Sequence, residues 1–365
     1  MDRTKLLFIG GFLGAGKTTL VQQASALLAS KGRSVGMITN DQAEELVDTR
    51  VLAKSNAVVK EISGSCFCCN YSGFTDVVKE LADRNKAVDM ILAEPVGSCT
   101  DISATILQPL KEQMQTFVEM APFTVLADPQ RLENILDGDN AGMHPSAAYI
   151  YRQQLAESDV LLISKTDTVT EGRLQVLTEK LKLTYPDQKV LTVSAKSGAG
   201  VEQWLSYVSQ SPVSGHRILD VDYDIYAEGE AVLGWLNTSV LLQGKRVDWD
   251  SFLKQYFHRL NNLLGTERAI GHIKIMIEAT DNSYIIGNQT GPPDTLQFNS
   301  SAGGGNVVSM IINARVESDP EQLKQFVFEA LAATIGEGAF YKIRQCNILS
   351  PGYPRPEHRY RHVVA

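Results

Sequence analysis

Residues 11–18 read Gly-Phe-Leu-Gly-Ala-Gly-Lys-Thr, and the reading of this stretch decides what surrounds it. It fits the pattern G-x-x-x-x-G-K-[ST] without a mismatch. Residues 5–10 (KLLFIG) have the apolar, β-prone character of a short strand, and residues from Thr19 onward (TLVQQASALLA) have that of a helix. Strand, glycine turn and helix start are the order a phosphate cradle requires. Glycines such as Gly11, Gly14 and Gly16 let successive backbone N–H groups turn inward toward phosphate oxygens, and the helix N-terminus adds its positive dipole end. Lys17 would reach the β- and γ-phosphates, and the Thr18 hydroxyl would ligate Mg²⁺. The bland alternative, a glycine turn with no ligand, needs both flanks to be coincidences.

The chain has 365 residues, enough for two domains, with an ordinary globular composition of 44% hydrophobic and 21% charged residues. A net charge of −8 offers no overall basic field, so neither nucleic acid nor an anionic membrane is an expected partner. No apolar run approaches the roughly 18 residues of a spanning helix, and the N-terminal apolar run leads into Gly16-Lys17-Thr18 instead of a cleavage site. Five cysteines, three of them within four residues, do not make a disulfide framework; the expected compartment is the cytosol.

Apolar runs at 5–10, 34–39, 90–93, 123–127, 160–164 and 190–194 alternate with helical patterns at 20–29, 71–84, 147–157 and 172–183, and a further helix at 201–208 closes the series. The expected fold is therefore α/β: a mostly parallel P-loop NTPase sheet with helices on both faces over residues 1–210. Residues 211–230, carrying Ser-Pro, Ser-Gly and an acidic run, read as a linker. Residues 231–349 read as a smaller α+β C-terminal domain, with strands at 232–242, 271–277, 284–288 and 307–316 and helices at 249–264 and 320–335. Residues 299–306 (NSSAGGGN) read as a flexible loop, and 350–365 as an irregular tail.

Two later segments name the base. Ser164-Lys165-Thr166-Asp167 follows an apolar strand and is similar to the N-K-x-D motif, in which an Asp carboxylate accepts the two donors of guanine; adenine would leave that carboxylate unpaired. Lys165 would lie along the base plane. Ser194-Ala195-Lys196 ends another strand and is similar to the S-A-K motif, whose backbone N–H meets guanine O6. On the metal side, Glu94-Pro95-Val96-Gly97 supplies a carboxylate for Mg²⁺ and, at Gly97, a backbone N–H for the γ-phosphate. Asn40-Asp41 marks the start of a nucleotide-sensing switch, with Asp41, Glu44 and Glu45 as further acidic candidates.

Ser65-Cys66-Phe67-Cys68-Cys69-Asn70 is the second strong signal. Three thiols this close can converge on one soft metal; Zn²⁺ favours four ligands, so Cys66, Cys68 and Cys69 leave one position for a carboxylate, water or partner. A buried turn and a redox-sensing trio are the other readings of the same residues. Cys99 and Cys346 stand apart in sequence and read as core thiols.

Taken in order, GGFLGAGKTT, SCFCC, EPVG, SKTD and SAK resemble the CobW-type GTPases, relatives of the urease and hydrogenase nickel-delivery GTPases. The resemblance covers residues 4–210 and implies a SIMIBI-class P-loop domain, a metal site at C-x-C-C and a role in metal or cobalamin-cofactor delivery. By position it implies phosphate binding by Gly14, Ala15, Gly16, Lys17, Thr18 and Thr19, with Lys17, Thr18 and Glu94 serving hydrolysis, Thr18 and Glu94 serving Mg²⁺, and Cys66, Cys68 and Cys69 serving Zn²⁺ or Co²⁺. The chain departs from the pattern at Ser164, at Pro95-Val96, and in lacking a His-rich tract. The expected partners are GTP and a client metalloenzyme or cobalamin-pathway protein; the oligomeric state stays open, a homodimer included. No glutamine that orients water and no arginine finger is legible, so slow intrinsic turnover is expected. Two rival readings are an activator or repair protein whose cysteines are structural or sensory, and a metabolite kinase. The kinase would need an arginine-rich lid between Glu94 and Ile163, where Arg131 and Arg152 stand apart.

Overall fold

A computed structural model of the chain describes residues 3–41, 47, 57–83, 87–212, 214–336 and 339–364. It divides into two compact units. The first comprises residues 1–42, 51–229 and 353–365, the second residues 43–50 and 230–352.

Unit 1 alternates strands and helices: β1 (Thr4–Gly11), α1 (Lys17–Ser30), β2 (Val35–Asp41), β3 (Val58–Ser63), α2 (Tyr71–Leu81) and β4 (Met90–Glu94). A π-helical turn (Ser103–Leu107) leads into α3 (Gln108–Gln113), β5 (Val118–Met120), β6 (Thr124–Ala127), α4 (Pro129–Leu136) and α5 (Pro145–Glu157). Then come β7 (Val160–Ile163), α6 (Glu171–Thr184), β8 (Lys189–Thr192), α7 (Val201–Gln210) and, at the boundary, α8 (Tyr223–Ala231). The strand order is β3-β2-β4-β1-β6-β7-β8, with β5 also pairing β1, and every pairing is parallel. β4, β6 and β7 are apolar almost throughout and buried on both faces, as a covered parallel sheet demands. Within β1, Leu7 and Ile9 join the core beneath α1 and α7, while Phe8 packs on Phe74 of α2. Helices therefore cover both faces, as expected.

Two strands of unit 1 escaped the sequence reading. β3 is a partly exposed edge carrying Lys60 and Glu61, so its alternation is diluted, and β5 has only three residues. Residues 211–230 are not a spacer. The Gly215 N–H donates to Asp159 Oδ2 (2.6 Å), Gln108 Nε2 donates to the Gly215 carbonyl (2.7 Å), and Tyr223 donates to Asp101 Oδ2 (2.8 Å).

Unit 2 runs β9 (Leu233–Asp248), α9 (Trp249–Leu264), β10 (Ile270–Ala279), β11 (Tyr284–Gln289), β12 (Gln297–Ser301), β13 (Gly304–Glu317), α10 (Pro320–Thr334) and β14 (Phe340–Leu349). Its sheet, ordered β12-β11-β10-β13-β9-β14, is antiparallel. α9 and α10 share one apolar core with its inward-facing residues, among them Trp249, Tyr256, Phe257, Ile275, Ile312 and Leu331. The expected loop at 299–306 is instead the end of β12, a turn at Ala302-Gly303, and the start of β13. β12 is exposed and polar, so no hydrophobic period announces it.

Candidate functional site

The strand that feeds the phosphate loop lies between β4 and β6, with Phe8 opposite Ala93 and Gly11 opposite Leu126. A side chain at Gly11 would put its Cβ 2.5 Å from the Leu126 carbonyl oxygen, so the loop leaves the sheet where only glycine fits. Gly16, at φ +97°, caps α1 in the left-handed region. Lys17 and Thr18 are buried, and Thr19 is exposed on the first turn of α1. The Lys17 ammonium donates to the carbonyls of Gly11 (2.8 Å) and Phe12 (3.3 Å), folded over the loop. Thr18 Oγ1 donates to Glu94 Oε1 at 2.9 Å, so the two residues read as Mg²⁺ ligands touch directly. Beyond them, a Cβ at Gly97 would lie 2.7 Å from Leu13 Cδ2 and 3.0 Å from Lys17 Nζ. The β4 loop therefore presses against the phosphate loop.

Arg131, which sequence reasoning set aside, belongs to this region. Its guanidinium donates to the Leu13 carbonyl and sits 5.6 Å from the Phe12 ring centroid. The signal that could have found it is Asp128-Pro129, a helix start directly after strand β6.

The two base-reading segments meet. Ser194 Oγ donates to Asp167 Oδ1 at 2.6 Å, and the Thr166 N–H donates to the Val193 carbonyl at 3.3 Å. The Ser194 N–H is committed to the Ala199 carbonyl, so Ser194 acts through its hydroxyl, with Ala195 next in the turn. Lys165 adopts φ +50°, and burial pushes its ammonium pKa down. Ser164, in the place of the motif's Asn, donates to the Ala15 carbonyl at 2.8 Å and ties the base segment to the phosphate loop.

The cysteine turn joins β3 to α2. The Cys66 carbonyl accepts the N–H groups of both Cys69 and Asn70 (3.0 Å each), which curls the turn. Asn70 then caps α2 through Oδ1. Phe67 points the other way and locks the turn to the core against Phe74 (centroids 4.5 Å apart) and Phe8 (6.4 Å). The three sulfurs converge: Cys66 to Cys68 is 3.0 Å, Cys68 to Cys69 is 3.9 Å, and all three lie within 4.8 Å of one another. A tetrahedral zinc with bonds of about 2.3 Å spaces its sulfurs about 3.8 Å apart, so the trio needs little rearrangement. Hydrogen bonds from Cys68 and then Cys69 and Cys99 hold the Cys66 thiol far below the ordinary range. In return Cys68 is pushed up, and Cys69 rises to about 11, in both cases first through Cys66.

Asn40 organises this turn. It is the last but one residue of β2, next to Thr39, which pairs with Glu94. Its Nδ2 donates to the carbonyls of Ile62 (2.9 Å) and Ser65 (2.7 Å), and its Oδ1 accepts the Phe67 N–H (2.9 Å). The Asp41 side chain, Glu44 and Glu45 lie outside the described residues.

Cys99, expected to be a core thiol, is buried. The tail runs over the turn: the Glu357 N–H donates to the Cys68 carbonyl (2.9 Å), and the Arg355 backbone bonds the Cys69 sulfur. Glu357 accepts from Ser72 Oγ (2.7 Å), His358 packs edge-on against Tyr71, and Arg359 pairs with Asp101 (2.6 Å). Cys346 lies in unit 2.

Among known proteins, the chain is 30% identical over 181 residues to the zinc chaperone YeiR of Escherichia coli (strain K12), covering 48% of this chain and 50% of that protein. It is 25% identical over 209 residues to the zinc chaperone CobW of Sinorhizobium sp, covering 52% and 58%. The chain thus spans about half the length of these curated relatives. Among solved structures, the Zn(II)-bound YjiA GTPase from E. coli aligns over 92% of this chain and 100% of its own at 16% identity, with a TM-score of 0.38. No helix among the described residues is long and apolar enough to cross a membrane. The family described as CobW/HypB/UreG, nucleotide-binding domain, matches residues 5–192, half of the chain, and the protein belongs to that family.

Proposed function

We propose that this chain is a GTP-hydrolysing metallochaperone. It binds Zn²⁺ or Co²⁺ through Cys66, Cys68 and Cys69 and delivers the ion to, or activates, a metalloenzyme or cobalamin-pathway protein. The observation that carries the reading is the convergence of three sulfurs in a turn that Asn40 ties to the strand beside Glu94.

Backbone N–H groups of the phosphate loop and Lys17 bind the triphosphate; Asp167, held by Ser194, accepts from guanine. Thr18 and Glu94 bring a hydroxyl and a carboxylate together at 2.9 Å, a hard oxygen pair that suits Mg²⁺, which supplies charge neutralisation at the phosphates. Water attacks the γ-phosphate while positioning does most of the catalysis, so unassisted turnover is slow. Asn40 and the β4 loop link this site to the sulfur turn. Nucleotide state then changes metal affinity, and metal must by linkage change nucleotide affinity.

The test is competition titration of Zn²⁺ and Co²⁺ into the reduced full chain, without nucleotide, with GDP and with a non-hydrolysable GTP analogue. Affinities that differ between the nucleotide states support the reading. Affinities that stay equal in all three, or that are unchanged by Cys→Ser at positions 66, 68 and 69, overturn it.

A further inference from the structure

We propose that Gln154 is a latch on the loop after β4 and sets how strongly the chain prefers GTP to GDP. This rests on the GTPase part of the proposed function and adds to it a positioning residue, one that acts on the nucleotide through Gly97.

The buried face of α5 carries Tyr151, Gln154 and Glu157 at three-residue intervals, so they follow one another along one side of the helix. The Tyr151 ring packs edge-on against Phe12 of the phosphate loop, with centroids 5.7 Å apart. One turn on, Gln154 Nε2 donates to the carbonyls of Gly97 (3.0 Å) and Cys99 (2.8 Å). At the end of the helix Glu157 accepts from Thr100 Oγ1 and from the Ser103 N–H, 3.0 Å each. One helix therefore keeps the phosphate loop and the segment 97–103 in register, and Gln154 is its grip on the backbone of the β4 loop.

Gly97 is the residue assigned to the γ-phosphate. As the two loops stand, a Cβ there would lie 3.0 Å from Lys17 Nζ and 3.1 Å from the Leu13 nitrogen. No phosphate oxygen fits between this face of the glycine and the Lys17 ammonium, which turns to the carbonyls of Gly11 and Phe12. A γ-phosphate accepting from both residues, at about 2.8 Å each, requires the β4 loop to back away. A diphosphate ends one group earlier and makes no such demand. The bonds from Gln154 oppose that movement, so GTP binds against the latch and GDP does not.

The latch is built to give way. Two carbonyls can be met only by the N–H₂ side of the amide, so its partners fix how the side chain is turned. The Oε1 atom left over is buried and meets no partner among the described residues. A glutamine kept for stability alone would be satisfied at both ends, because a buried polar atom left unpaired is costly. Half satisfied, Gln154 biases the loop and still releases it, as an element with two arrangements must.

The test is paired titration of the full chain, with Mg²⁺, against a non-hydrolysable GTP analogue and against GDP. Gln154→Met keeps the reach of the side chain and removes its donors. The ratio of analogue to GDP affinity should rise about tenfold, with GDP affinity within about twofold as the check of folding. Gln154→Leu gives the same reading should the methionine variant not fold. Gln188 supplies the comparison, since its Nε2 also donates to two carbonyls of α5, those of Leu155 (3.3 Å) and Ala156 (3.1 Å). Gln188→Leu should lower stability and leave the ratio unchanged. A ratio unchanged or lowered in the Gln154 variants overturns the inference and leaves the GTPase reading standing. A rise of the same size in Gln188→Leu does so too, by marking a general loosening. An unmutated protein that binds neither nucleotide overturns both.

Discussion

The phosphate loop and the cysteine turn leave the same sheet with two strands between them and solve opposite problems. The loop after β1 works with backbone: glycines at φ +129° and +97° shape it, and its one long side chain, Lys17, lies folded over its own carbonyls. The turn after β3 works with side chains: its backbone is closed on the Cys66 carbonyl, and its sulfurs are held together by Asn40 from the neighbouring strand, by Phe67 in the core and by the tail. A backbone cradle is complete within one stretch of sequence. A side-chain cluster is only as good as the groups that hold it, and here those come from β2, from the turn itself and from the tail.

The comparison breaks most sharply at Lys17. Lys17→Ala should lower nucleotide affinity by more than about a hundredfold, because a buried charge-assisted contact to the phosphates is lost, while zinc affinity without nucleotide stays within about twofold. Fluorescent-nucleotide titration reads the first and chelator competition the second; a large loss of both would mean that the two sites are not separable. Cys66→Ser, Cys68→Ser and Cys69→Ser should each weaken zinc binding by about ten- to a hundredfold and leave GTP affinity within about twofold. Asn40→Ala tests the tether. Three hydrogen bonds, each worth about 1 kcal/mol, disappear, so unfolding should become easier by about 2–3 kcal/mol and zinc affinity should fall about tenfold. A variant with normal zinc affinity would show that Asn40 only stabilises the fold.

Glu157 sharpens the comparison more gently. Burial raises its carboxyl pKa from an ordinary 4.5 to about 8. Between those values the folded chain keeps a proton that the unfolded chain has lost, so stability falls as pH rises, by up to about 1.4 kcal/mol per unit. Glu157→Gln should flatten that slope in denaturation series run between pH 5 and 8. An unchanged slope would mean that the hydrogen bonds from Thr100 and Ser103 keep the carboxylate ionised.

Legibility followed the same division. β1, β4, β6 and β7 were readable because strands buried on both faces are apolar almost throughout. β3 and β12 were not, because edge strands can be polar without cost. β14 was missed for the same reason, its exposed Lys342 and Arg344 diluting the pattern. The tail carries no periodic signal, and its backbone bonds to Cys68 and Cys69 have no signature in its own residues.

By itself, the sequence settled the phosphate loop, the trio of cysteines and the alternation of strands and helices, since each is written in residues that are neighbours in the chain. Only the tertiary structure decided that Asn40 tethers the sulfur turn, that Arg131 lies against Leu13 and that the tail returns to unit 1. Contacts between distant residues depend on which strands the parallel sheet sets side by side, and no local pattern of residue types encodes that order.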